Sequence, residues 1–167
     1  MKSKRGLSAV VAVVILIALA VAAVAIVWGV VANLVDEQLE GADSCINVFD
    51  KVEINGRYTC YDSTNNKFQF SLNIRDIDVE EVLFAISYEG STKTFKISNI
   101  AENIPEIDNF PSPPGLIVLP KKNGGSTYVY IGFGSKPDLF EISPVIDGKQ
   151  CGISSSLTDI PDCDTLL

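Results

Sequence analysis

Two patterns of apolar and polar positions divide this chain at about residue 35. From Leu7 to Val35 the side chains are apolar, with Ser8 and Asn33 the only polar ones and no charge anywhere. A helix over that run is ~43 Å long at ~1.5 Å per residue. A bilayer core needs only ~20 residues, so the run spans a membrane with a turn or two to spare. It contains no Pro, so no sharp kink is expected. Its many Val and Ile residues have modest helix propensity in water, a cost that is tolerable in lipid or in a dry core. Lys2, Lys4 and Arg5 precede it, and Asp36, Glu37 and Glu40 follow it. That asymmetry predicts an N-in, C-out orientation, with the rest of the chain outside the membrane. The helix is expected over 7–41, with Gly41-Ala42-Asp43-Ser44 as a short hinge-like connection.

Past the hinge the pattern changes to period two, the signature of strands. Ile46, Val48, Val52 and Ile54 fall on one face. The clearest strand is Lys67 to Arg75, where Phe68, Phe70, Leu72 and Ile74 alternate with Gln69, Ser71 and Asn73. Val82, Phe84, Ile86 and Tyr88 repeat the alternation, and Phe95 and Ile97 continue it after a turn at Glu89-Gly90-Ser91. Asp62-Ser63-Thr64-Asn65-Asn66 reads as a hairpin loop. Pro105, Pro111, Pro113 and Pro114 make 99–114 a long loop. Further strands are expected over Leu116–Leu119, Tyr128–Phe133 and Leu139–Ile142, the first two joined through Lys122-Asn123-Gly124-Gly125. Seven or eight short strands with regular turns predict an immunoglobulin-like sandwich over 42–167. The fold class is therefore α+β: a long N-terminal hydrophobic helix followed by an all-β domain.

The apolar segment has three uses open to it. It can be a permanent membrane anchor. It can be a secretory signal cut after Ala23-Val24-Ala25, although Ile26, Val27, Trp28, Val30 and Val31 keep the run apolar where a polar stretch is expected. The third use rests on a resemblance. Lys4-Arg5-Gly6-Leu7-Ser8, followed at once by the Ala/Val/Ile/Leu run, resembles the N-terminus of archaeal type IV pilins and their relatives. The resemblance covers roughly residues 2 to 35. It implies that a membrane aspartate protease, the prepilin peptidase, recognises Lys4 and Arg5 and cuts between Gly6 and Leu7. Residues 1–6 would be lost as a leader, and the apolar helix would be kept as the core of a surface filament. It also implies that the partners are the protease, the membrane before assembly and further copies of the same chain, and that adhesion is the use; archaellins, the swimming-filament subunits, share this architecture. Bacterial members usually carry Glu as the fifth residue after the cut. Here that position is Val11, as is common in archaeal members.

A bundle of such helices needs surfaces that approach closely. Ala18, Ala22, Ala25, Gly29 and Ala32 are spaced four, three, four and three residues apart, which places small residues in one seam. Small residues let helix backbones come near and gain dispersion contacts. Trp28, near the outer end, suits a membrane interface or a packing contact.

Composition narrows the rest. The chain has 13 Lys and Arg against 21 Asp and Glu, a formal charge of −8 that becomes more negative once Lys2, Lys4 and Arg5 are removed. A nucleic-acid-binding surface is not expected. Cys45, Cys60, Cys151 and Cys163 all lie in the part expected outside, which predicts two disulfides. Local pairing, Cys45–Cys60 with Cys151–Cys163, is the first expectation among three connectivities. A zinc site is not, because no C-x2-C pair and no His occurs. No enzyme motif is found: there is no His for general-base work, and no nucleophile elbow, P-loop or dinucleotide fingerprint. No cofactor is expected. Asp76, Asp78, Glu80 and Glu81, like Asp159, Asp162 and Asp164, read as solvated acids rather than calcium ligands. Gly132-Phe133-Gly134 reads as strand-end glycines. The Pro-rich loop with Tyr128 and Tyr130 reads as a loop beside a half-buried strand, with an adhesive surface as the alternative. A membrane-tethered binding module that never polymerises is the competing function.

Overall fold

The structure, a computed structural model, describes residues 5–46, 48–112 and 115–163. The chain falls into two compact units, Met1–Ala42 and Asp43–Leu167. Helix α1 runs from Arg5 to Ile46, 42 residues or ~63 Å. It passes straight through residues 41–44, the predicted hinge. Gly41 costs only ~1 kcal/mol relative to Ala in a helix, too little to end one on its own. The helix stops where Val48 N–H donates to Cys45 C=O, within the second unit.

The second unit is a two-sheet antiparallel sandwich. Its strands are β1 (Val52–Ile54), β2 (Cys60–Asp62), β3 (Lys67–Ile74), β4 (Glu81–Tyr88), β5 (Ser91–Ser98), β6 (Ile107–Phe110), β7 (Gly124–Ile131), β8 (Leu139–Ile146), β9 (Lys149–Gln150) and β10 (Ser155–Thr158). One sheet has the order β1-β3-β7-β6, with β2 also on β3; the other has β10-β8-β4-β5, with β9 on β8. The strands β1 and β2 are two halves of one edge, pairing with opposite ends of β3 and separated by a 3₁₀ turn at Gly56–Tyr58. Treated as one strand, they give the ABED order of an immunoglobulin sandwich, facing a GFCC′ sheet. Two-residue hairpins at Glu89-Gly90 and Asp147-Gly148 have positive φ at both positions. That is the type I′ turn whose twist matches paired strands and which favours glycine at its second place.

The core is aromatic at its centre. Phe68 and Phe70 point inward from β3, meeting Phe140 of β8 at 5.1 and 5.4 Å between ring centroids. Phe84 of β4 stacks on Phe95 of β5 at 4.9 Å. Phe70 also touches Phe84, Phe95 and Tyr128, so its ring joins β3 to four other strands. Antibody domains bridge B to F with a disulfide; here the same two strands are joined by phenylalanine rings.

Several expected strands shift. Ile46 ends a helix rather than opening a strand. The expected loop 99–114 contains β6, paired with β7 from Ile107 to Phe110; Pro113 and Pro114 lie outside the described residues. Leu116–Leu119 makes only one bridge, Glu102 to Ile117. The glycines read as a connection begin β7, and Gly125 faces Asn73, where a Cβ would lie 2.5 Å from Asn73 Oδ1. The Ser-rich tail forms β10 along β8.

The cysteine pairing is a correction. The bonds are Cys45–Cys151 and Cys60–Cys163. Local pairing fails on distance. Val52 pairs with Ile74 and Cys60 with Gln69, five residues or ~17 Å apart along β3. Cys45 precedes Val52, so it sits near the end of the sandwich opposite Cys60, and Cα atoms more than ~7 Å apart cannot be bridged. Cys151 and Cys163 are separated in the same way by β10. Cys151 N–H donates to Pro144 C=O, whereas Thr158 pairs with Leu139, five residues back along β8.

Crossed pairing stitches 45–60 and 151–163 into one covalent ring around the first and last strands. Each bond closes a loop of about a hundred residues, worth up to ~4.7 kcal/mol through the unfolded state. Non-reducing peptide mapping should therefore recover Cys45–Cys151 and Cys60–Cys163. A single protease cut anywhere in 61–150 should leave one band on a non-reducing gel and two after reduction. Two bands without reductant would indicate the local pairing instead.

Candidate functional site

The candidate site is the apolar face of α1, and that face is the whole circumference. From Val10 to Val35 every side chain is exposed except Ala32, which is half-buried. Val, Ile and Leu occur on all sides, so the helix has no polar stripe to turn toward water. Trp28 is 74 % exposed. This 26-residue span is long and apolar enough to cross a membrane.

Within that surface the five seam residues cluster. At ~100° per residue, Ala18, Ala22, Ala25, Gly29 and Ala32 fall within about 80° of arc. The far side carries Leu16, Val27 and Leu34, so the helix has one flat side and one bulky side. Beyond its chain neighbours and the adjacent helix backbone, an added Cβ at Gly29 meets nothing within 4 Å. Intrachain packing therefore gives no reason for glycine at a mid-helix position, where it costs ~1 kcal/mol relative to alanine. Of the processing residues, Arg5, Gly6 and Leu7 stand in the first helical turn. Lys4 lies outside the described residues.

The acidic candidates point to separate partners. Lys51 Nζ lies 2.5 Å from Asp76 Oδ1, and its hydrogen bond and charge hold that carboxyl below the usual range. Glu81 pairs with Lys96 at 2.5 Å, and Glu80 accepts from Gly148 N–H. Asp162 pairs with Lys136 at 3.1 Å; Asp164 lies outside the described residues. Among the described residues no three carboxylates or thiols are grouped to hold a metal ion.

Tyr128 and Tyr130 are both inside the sandwich, so an adhesive surface built from them has lost its aromatics. Tyr128 OH donates to Val118 C=O at 2.7 Å, and burial pushes its phenol up to about 12. Tyr130 OH donates to the Glu106 carboxylate, and burial is again the main cause of its raised value. Lys93 Nζ sits 5.1 Å from the centre of the Tyr130 ring and 5.6 Å from that of Phe133, a cation–π contact closing this end of the core. The sequence carries no local signal for the Glu106–Tyr130 clasp, because its members are 24 residues apart.

No protein-family model matches the chain, and no curated protein matches it either.

Tyr128 gives a pH prediction. Its folded value of about 12 exceeds the unfolded value of 10, so the folded state keeps the proton longer. The associated stability is complete below pH 10 and is lost as pH rises to 12, about 2–3 kcal/mol in all. Absorbance titration near 295 nm should show one tyrosine resisting ionisation until the domain unfolds. Tyr128→Phe should abolish that step. Full tyrosinate formation below pH 11, with circular dichroism still native, would count against it.

Proposed function

We propose that this chain is a subunit of a pilus-like surface filament. Its helix forms the filament core with copies of itself, and its sandwich coats the outside. The observation that carries this reading is a helix exposed and apolar around its whole circumference from Val10 to Val35, joined to a domain that packs its own core completely. Such a helix requires lipid or other helices as its solvent. Lipid accepts it before assembly. A bundle gains from the flat Ala/Gly side, which lets backbones approach. The Gly6–Leu7 switch supports removal of the leader on the cytoplasmic side. Two disulfides support an oxidising, extracytoplasmic location for the sandwich. Adhesion is the use we assign to the filament.

The mature protein should begin at Leu7. A protease must bring its carboxylates close to the backbone it cuts, and Gly6 has no side chain in the way. Gly6→Val should leave precursor in the membrane. N-terminal sequencing and intact mass of protein sheared from native cells decide the matter. Material retaining Met1, or starting at Ile26, would falsify the processing claim.

Assembly should depend on the seam more than on hydrophobicity. Ala22→Leu or Gly29→Leu keeps the segment apolar, so insertion should survive. The larger side chain holds neighbouring backbones apart, at roughly 1–3 kcal/mol per site repeated in every subunit. Electron microscopy of sheared material should show few filaments while a membrane blot shows normal precursor. Normal filament yield from both variants would reject the seam. Finding no filaments on wild-type cells that make the chain abundantly would favour an anchored binding module.

A further inference from the structure

The helix carries an unbalanced charge layer. No cation occurs between Arg5 and Lys51, yet Asp36, Glu37, Glu40 and Asp43 all lie in that interval. These four acids occupy ~11 Å of helix axis. Copies running parallel in a filament would bring them into one layer about as thick as the Debye length, ~10 Å at 0.1 M salt. Charges closer together than that length are only partly screened, so cations from the sandwich would relieve the repulsion.

Four of the ten cations there are in ion pairs. Lys51 pairs with Asp76, Arg75 with Glu53, Lys96 with Glu81 and Lys136 with Asp162. Lys121 and Lys122 are among the cations that enter no ion pair among the described residues, although the charge of Lys122 also helps to lower the Asp76 carboxyl. They line a cleft of about 600 Å³ whose walls include Ile77, Val79, Val118 and Pro120. A relay of backbone hydrogen bonds fixes which end of the sandwich this is. Val48 N–H donates to Cys45 C=O, Lys51 N–H to Val48 C=O, Arg75 N–H to Lys51 C=O, and Asn123 N–H to Arg75 C=O. The cleft is thus at the end where the chain leaves α1. Asp78, also on its wall, is the one acid among its lining residues.

We propose that the Lys121–Lys122 cleft receives the acidic segment Asp36–Asp43 of a second copy of this chain. The segment is chemically complementary: its acids meet the two lysines, and Leu39 and Ala42, between and beside those acids, suit the aliphatic walls. Charge pairing of this kind fixes the register of neighbouring subunits and disfavours wrong ones. The proposal rests on the filament reading given above.

Two measurements test it. Carbodiimide, which joins amines to carboxylates in direct contact, applied to wild-type filaments should link Lys121 or Lys122 to Glu37 or Glu40 between subunits. Mass spectrometry that finds these lysines linked only to other carboxylates, or unlinked while other pairs react, overturns the proposal. Lys121→Glu with Lys122→Glu should cut filament yield per precursor at least about tenfold, equivalent to ~1.4 kcal/mol. Adding Glu37→Lys and Glu40→Lys should restore it. Correct formation of both disulfides in each variant reports folding and an outside location, which matters because new cations after the helix oppose the positive-inside bias. Normal yield from the lysine reversal overturns the proposal and leaves the filament reading standing. Loss that the swap fails to restore, in correctly folded and oriented protein, assigns the lysines to another surface such as anionic lipid headgroups and equally overturns it. Wild-type cells without filaments remove the filament reading itself, and this proposal with it.

Discussion

Seventeen large apolar side chains stand exposed between Val10 and Val35, and water is the wrong solvent for them. Burying each is worth roughly 1.5–3 kcal/mol, so together they represent about 25–50 kcal/mol. The net stability of a folded domain is only about 5–15 kcal/mol. The demand of this helix for a dry environment is therefore larger than the net stability of a typical folded domain. What the protein can do is bounded first by where that helix goes. Lipid satisfies the demand immediately. A bundle satisfies it as well and adds backbone contact along the Ala and Gly residues, which lipid cannot exploit.

The sandwich has the opposite character, because it is closed on itself. Its aromatic core joins β3, β4, β5, β7 and β8, and its polar groups are matched. Buried Thr59 accepts from Ser71 N–H and donates to Asn55 C=O, and no buried side-chain polar atom among the described residues lacks a partner. The covalent ring of Cys45–Cys151 and Cys60–Cys163 holds the first and last strands, which lie at sheet edges with neighbours on one side only. Those are the strands that open first in a sandwich under load or heat, because fewest contacts resist them. The ring also includes the last residues of α1. From Cys45 two covalent routes lead onward, the chain itself and the bond to Cys151.

The sequence disclosed what repeats locally and concealed what depends on distant partners. The alternation of Phe68, Phe70, Leu72 and Ile74, and of Val82, Phe84, Ile86 and Tyr88, identifies the central strands because both are buried on one face along their full length. Edge segments were harder. β6 is four residues inside a Pro-rich stretch and exists because β7 offers it a pairing edge. β10 is Ser-Ser-Leu-Thr, polar because one face meets solvent. The helix outran its expected end because glycine and acids weaken a helix without stopping it. The cysteines misled because closeness along the chain was taken for closeness in space, whereas an intervening extended strand separates each local pair. At the candidate site, the extent of the apolar span, its orientation bias and the small-residue spacing are readable, since a helix needs no partner to define its geometry. The burial of Tyr128 and Tyr130 was not, because alternation alone does not say which face is inside when both carry apolar residues, as Val129 and Ile131 do here.

The contrast between the two units also explains why charge is distributed so unevenly. The segment apolar enough to cross a membrane carries no charge, and the acids begin only at Asp36. Lys2, Lys4 and Arg5 before the segment bias its orientation, and acids after it do not oppose that bias. The placement of those acids is unfavourable for a filament, because parallel copies place like charges side by side just where the apolar contacts end. A self-contained tethered module would face no such conflict, since its acids would be surrounded by water. A filament would be helped by cations from its own outer domains, in a chain where acids outnumber cations 21 to 13. Under the proposed assembly Lys121 and Lys122, which enter no ion pair among the described residues, would supply such cations.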